Sequence, residues 1–137
     1  MRLFFDTSAF IKRYVEETGS DDVEKLCMEA DDVAVSMLFP VEAASAFTRL
    51  LEEKKITHAN RKLLKNTMFA DLKDITLIQI SPAAVSFSIR AIETSHIKTL
   101  DALHVGCAMD YKPDYFVSSD KQQTVAAKAL GLHVKLV

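Results

Sequence analysis

The chain has 137 residues, enough for one domain with its own core rather than two. Hydrophobic residues make up 49% and charged residues 26%, which excludes a disordered chain, and no apolar run approaches the roughly 20 residues of a membrane span. Seventeen Lys and Arg stand against 19 Asp and Glu, for a net charge of −2. That excludes a uniformly basic nucleic-acid binder but permits one whose cations are gathered locally.

The opening Met1-Arg-Leu-Phe-Phe-Asp6 places an acid where a secretory signal would continue its apolar stretch. Two cysteines, Cys27 and Cys107, are far apart and in no metal-like spacing, so both are read as reduced thiols of a cytoplasmic protein. Arg2–Phe5 is a short β-type run stopped by helix-starting Asp6, Thr7 and Ser8. A first helix is expected from there to Glu17, ended by Gly19, and a second over about Asp21–Ala30. Val33–Ser36 reads as a strand. Pro40 suits the first turn of a helix, where its missing N–H costs nothing, and Ala43, Ala44, Phe47, Leu50 and Leu51 recur at helical spacing. A further amphipathic helix is expected from about His58 to Leu72, with Leu64 and Met68 inward.

Ile75–Ile80 reads as a third strand, followed by helices over Pro82–Thr94 and Leu100–Tyr111. Tyr115–Ser118 is a fourth strand, Lys121–Leu130 a helix closed by Gly131, and His133–Leu136 a last strand. Strands alternating with helices imply right-handed βαβ crossovers and a parallel sheet covered on both faces. In such sheets ligands bind beyond the carboxyl ends of the strands.

Four acids stand at places that matter under that rule. Asp6 and Asp120 each follow a strand and precede a helix, while Glu42 and Asp101 each lie in a helix's first turn. Each has an ordinary explanation as a cap or as a charge set against the helix dipole. Asp120-Lys-Gln-Gln123 even resembles a capping box, with Gln123 able to reach back. Their setting differs from that of surface acids, however: Phe4-Phe5, Phe39-Pro-Val41, Ala102-Leu103 and Phe116-Val117 flank them, all on elements committed to the core. Carboxylates brought to about 4 Å would repel by about 4 kcal/mol per pair at an effective dielectric near 20. An all-oxygen cluster therefore calls for a hard cation, Mg²⁺ or Mn²⁺ rather than zinc. With those four acids set aside, 17 basic residues face 15 acidic ones.

Four blocks, Phe5-Asp-Thr-Ser-Ala9, Pro40-Val-Glu-Ala-Ala-Ser-Ala46, Thr99-Leu-Asp-Ala-Leu-His104 and Val117-Ser-Ser-Asp-Lys121, together resemble the PIN-domain ribonucleases. The likeness is greatest to the VapC toxins of toxin–antitoxin pairs, and it spans nearly the whole chain. It implies a PIN-like three-layer α/β/α fold with a central, mostly parallel sheet, in a single domain over residues 1–137. It also implies a metal site at Asp6, Glu42, Asp101 and Asp120, with Ser118 holding a water on the ion or a neighbouring acid. The function implied is that of an Mg²⁺- or Mn²⁺-dependent endoribonuclease, a homodimer held inactive by a cognate antitoxin, leaving a 5′-phosphate and a 3′-hydroxyl.

Around these blocks, Ser8 is read as a helix cap, His104 as a hydrogen-bonded and partly buried histidine, and Lys12, Arg13, Lys98 and Lys121 as candidate phosphate contacts. The helices around Ala43–Leu51 and Leu63–Leu72, with Phe39, Met68 and Phe69, carry more apolar residues than one stripe needs. That excess suggests a surface covered by another protein. Among competing functions, an aspartyl phosphotransferase of the haloacid dehalogenase type needs a second Asp where Ser8 stands, and a receiver domain needs adjacent acids before the first-strand Asp. A non-toxin RNA-processing nuclease and a catalytically inactive PIN-fold binding module remain as alternatives.

Overall fold

The computed structural model describes residues 1–137. The chain order is β1 (Arg2–Phe5), α1 (Thr7–Phe10), α2 (Ser20–Glu29), β2 (Asp32–Ser36), α3 (Phe39–Glu52), α4 (His58–Asp71), β3 (Thr76–Ile78), α5 (Pro82–Ser95), α6 (Thr99–Tyr111), β4 (Tyr115–Ser118), α7 (Lys121–Ala129) and β5 (Val134–Leu136). The five strands form one parallel sheet in the order β3-β2-β1-β4-β5. No helix is long and apolar enough to cross a membrane.

β1 lies at the centre, with Leu3, Phe4 and Phe5 fully buried. Its side chains alternate between two cores, as the period of a strand requires. Leu3 and Phe5 join Val35 and Val117 beneath α1 to α4, with Phe10, Phe39, Phe47 and Met68. Phe4 faces the other way, with Ala34 and Phe116, beneath the alanine-rich faces of α5, α6 and α7. The result is the expected α/β/α layering. Small residues let the second helical layer close up: a Cβ on Gly106 of α6 would stand 2.0 Å from Ser88 Oγ and 2.3 Å from the Ala84 carbonyl of α5.

The chain runs outward from β1 through β2 to β3, then returns to lay β4 on the opposite side of β1. The carboxyl ends of β1 and β4 therefore flank the point where strand order reverses, the place where open α/β sheets carry their ligand crevice.

Three elements differ from expectation. The first helix ends after Phe10 and continues only as a 3₁₀ turn over Ile11–Arg13. Lys12 is drawn inward there, donating to the carbonyls of Thr18 (2.6 Å) and Val137 (3.0 Å). Gly19, at φ +94°, starts α2 instead of ending α1. β3 pairs only over Thr76–Ile78, because it is an edge strand and Ile80 has already emerged into solvent. The surplus apolar surface on α3 and α4 is also smaller than expected. Phe39, Met68 and Leu72 are core residues, leaving Val41, Leu63 and Phe69 exposed.

Candidate active site

The carboxyl ends of three adjacent strands each deliver a fully buried polar side chain: Asp6 after β1, Ser36 on β2 and Ser118 on β4. Asp6 caps α1, its Oδ1 accepting from the backbone N–H of Ala9 at 3.0 Å and from the Ser8 hydroxyl at 2.7 Å. Its Oδ2 accepts from the Ser118 hydroxyl, which in turn accepts from the N–H of Asp120 at 2.9 Å. Ser8 is not the helix cap expected of it, since Asp6 takes that place; its oxygen instead accepts from the N–H of Ser119 at 3.0 Å, tying α1 to the loop after β4. Burial pushes the Asp6 carboxyl up to about 6, against the lowering effect of the Ser118 and Ser8 hydroxyls. No cation contacts this buried acid.

Glu42 reaches the same region from the first turn of α3. It accepts from the Thr7 hydroxyl at 2.7 Å and from Nε2 of His104. His104, only 1% exposed, has its Nδ1 at 2.9 Å from Ser36 Oγ, which itself accepts from the N–H of Leu38. The order that satisfies every member runs from the Leu38 N–H through the Ser36 hydroxyl and the imidazole to the Glu42 carboxylate. Burial raises the Glu42 carboxyl, but the hydrogen bond and electrostatic attraction of His104, with the Thr7 hydroxyl, outweigh it and hold the group below its ordinary value. Ser36 escaped the sequence reading, although a serine closing an otherwise apolar strand was a usable signal.

Asp101 and Asp120 complete the set. Burial and then the negative charge of Asp120 push Asp101 above its ordinary value, with Glu42 adding in the same direction and Lys98 and His104 opposing. Asp120 caps α7, its Oδ1 accepting from the N–H groups of Gln122 (2.8 Å) and Gln123 (3.4 Å). The Gln123 side chain does not reach back as in a capping box. Its Nε2 donates to Asp101 Oδ1 at 3.1 Å, while its Oε1 is buried without a partner.

Two of the four expected phosphate contacts are otherwise engaged. Lys12 is turned inward to its two carbonyls, and Arg13 pairs with Glu24 at 3.3 Å and Asp71 at 3.8 Å. Lys98 and Lys121 are exposed at the starts of α6 and α7. In this conformation no three acids, histidines or cysteines are arranged to hold a metal ion. Glu42 is engaged by His104 and Thr7, and Asp120 by its cap. The donor chemistry nevertheless suits a hard divalent ion, since it consists of carboxylate and hydroxyl oxygens around a buried acid that lacks a counter-charge.

The sequence profile of the PIN domain matches residues 3–129. The chain belongs to the PIN-domain family. Solved structures similar to this PIN domain include FitAcB from Neisseria gonorrhoeae, at 12% identity and a TM-score of 0.75 over 96% of this chain and 95% of that one. VapBC2 from Rickettsia felis, solved bound to a DNA fragment from its promoter, matches at 13% identity and a TM-score of 0.70 over 100% and 99%. Mycobacterium tuberculosis VapC20, described as a sarcin–ricin-loop-cleaving toxin, matches at 12% and 0.66 over 95% of each chain. At these identities the likeness is one of fold. No curated protein matches this PIN domain in sequence.

Proposed function

We propose that this PIN domain is an Mg²⁺- or Mn²⁺-dependent endoribonuclease and the toxin of a toxin–antitoxin pair. The observation that carries the reading is the buried Asp6 at the strand-order reversal. Its carboxylate is tied through Ser118 to Asp120, beside the Thr7 whose hydroxyl, with His104, holds Glu42. Asp6, Asp101 and Asp120, with Glu42, would hold the ion, which when bound supplies activation of a water and neutralises charge building on the phosphorus.

The chain's own residues do the positioning. Ser118 and Ser8 orient Asp6, His104 and Thr7 orient Glu42, and Gln123 orients Asp101. Cleavage in this reading leaves a 5′-phosphate and a 3′-hydroxyl. The toxin role draws on the fold shared with FitAcB and VapBC2. Val41 on α3 and Leu63 on α4 are exposed apolar residues that a second copy or an antitoxin would cover.

Incubating the purified protein with structured and unstructured RNAs, with Mg²⁺, Mn²⁺ or EDTA, tests the activity. Metal-dependent, EDTA-blocked cleavage is expected. Absence of cleavage with either metal would leave the binding-module reading instead. Toxicity on expression alone, relieved by a small co-expressed protein, separates a toxin from an RNA-processing nuclease.

A further inference from the structure

Net charge is unevenly spread along this chain. Residues 49–65 hold six cations (Arg49, Lys54, Lys55, Arg61, Lys62 and Lys65) and two acids (Glu52 and Glu53), a local excess of four positive charges in a protein whose total is −2. Three of these cations fall with His58 at positions 58, 61, 62 and 65, one face of α4 by helical spacing. That face borders a cleft of about 450 Å³, whose opposite wall is α3 at Ala44, Phe47 and Thr48. The ion pairs of the protein lie elsewhere, so Arg61, Lys62 and Lys65 carry unneutralised charge. Like charges three and four residues apart destabilise a helix, and nothing inside the protein offsets them.

We infer that the α3–α4 cleft is a docking site for the phosphodiester backbone of RNA. The inference rests on the ribonuclease reading for its occupant but uses none of the four acids. Lysine is depleted at protein–protein interfaces, and the cleft's apolar residues are only Ala44 and the buried Phe47. Cations, a histidine and a hydroxyl are instead the groups that contact phosphates without reading sequence. Phe69, 47% exposed, continues the same stripe four residues beyond Lys65 and offers a face on which a base can stack.

Ala44 lies two residues from Glu42 on α3, but on another face of that helix. An RNA strand held in the cleft crosses the width of α3, about 10–12 Å, to reach the acids. The cleft therefore holds a flank of the substrate, not the bond that is cut.

The test measures binding without cleavage. A labelled single-stranded RNA of roughly 20 nucleotides is titrated with the protein in EDTA, from about 50 to about 200 mM salt. The triple variant Arg61→Gln, Lys62→Gln, Lys65→Gln is compared with a control of equal charge change, Lys25→Gln, Lys73→Gln, Lys128→Gln. Circular dichroism checks that both fold.

Each phosphate contact on a single strand contributes about 0.7 to the slope of log K against log salt. The cleft variant should therefore lose about 2 from the slope and about 100-fold in affinity near 0.1 M salt, and the control little. Equal losses in both variants, an unchanged slope, or no RNA binding by the parent overturns the inference. So does a cleft variant that keeps RNA but loses a polyglutamate peptide, since that assigns the cleft to an acidic protein. Cleavage plays no part in the measurement: a protein that binds RNA here but never cuts it refutes only the nuclease reading, and one that cuts RNA while ignoring these charges refutes only the docking site.

Discussion

Gln123 donates from its side-chain amide to Asp101 Oδ1 at 3.1 Å while its backbone N–H rests on Asp120. One buried residue on α7 thus spans two carboxylates that come from different helices. Gln123→Met keeps the length and removes the donor. Groups of this supporting kind cost about 10–100-fold in metal affinity or activity when removed, and that loss is expected here. Stability should hold, because the partnerless Oε1 disappears with the amide. Full activity in the variant would show that Asp101 needs no support from α7.

Asp101 itself is repelled by Asp120 and Glu42. Asp101→Asn keeps the volume and removes that charge. RNA cleavage should fall on the order of 100-fold or more, and the melting temperature should stay level or rise by about 1–3 °C. A variant that cleaves like the parent would reduce Asp101 to a favourable charge in a helix's first turn.

Asp6 links pH, metal and stability. Its folded value of about 6 lies above the ordinary 3.8, so the folded protein keeps this proton longer than the unfolded chain as pH rises. Below 3.8 the group costs the fold nothing. The cost grows between 3.8 and 6 and levels off above 6 at about 3 kcal/mol, taking about 1.4 kcal/mol per unit. A divalent ion offsets that cost and competes with the same proton. Mn²⁺ should therefore raise the melting temperature at about pH 7.5 and much less at about pH 5, and cleavage should decline as pH falls through 6. Equal thermal shifts at both pH values would uncouple Asp6 from the ion.

His104 anchors the other flank. His104→Leu leaves Ser36 and Glu42 without their partner inside the fold and should cost about 2–3 kcal/mol in urea unfolding. Glu42 is held below its ordinary 4.5, so its ionised form contributes stability above that value, lost as pH falls through the folded one. Without His104 the burial of Glu42 is opposed only by Thr7, its folded value is no longer held down, and the stability lost below 4.5 in the parent should shrink in the variant. An unchanged acid limb would falsify the pairing as a source of stability.

Gly106 is a packing contact with no part in the site. In Gly106→Ala the new methyl meets both a side chain and the Ala84 carbonyl, so α5 and α6 must separate, at a cost of about 3 kcal/mol. Adding Ser88→Ala should recover little, since the backbone carbonyl stays. Full recovery in the double variant would place the whole conflict at the Ser88 hydroxyl.

Much of this was legible in the residues. The alternation of Leu3, Phe4 and Phe5 announces a central strand buried on both faces. Pro40, Pro82 and Asp120 announce helix starts, and the five strands follow in chain order where their β-type runs stand. These signals are local, each set by neighbours within a few residues. Asp6, Glu42, Asp101 and Asp120 stood out for the same reason, as acids at the ends of apolar elements.

What local pattern could not carry is direction and partnership. Whether Lys12 faces a phosphate or a carbonyl depends on Val137, 125 residues away. Gln123 could close its own helix cap or cross to Asp101, and only the packing of α6 against α7 settles the choice. Ser36, His104 and Glu42 lie on three elements whose contact exists only once the sheet has formed. The sequence by itself determined the elements and the positions of the acids, because those depend on backbone preference and the period of apolar residues. Tertiary structure alone decided which buried polar group satisfies which, because each must find its partner wherever the fold brings one within hydrogen-bonding reach.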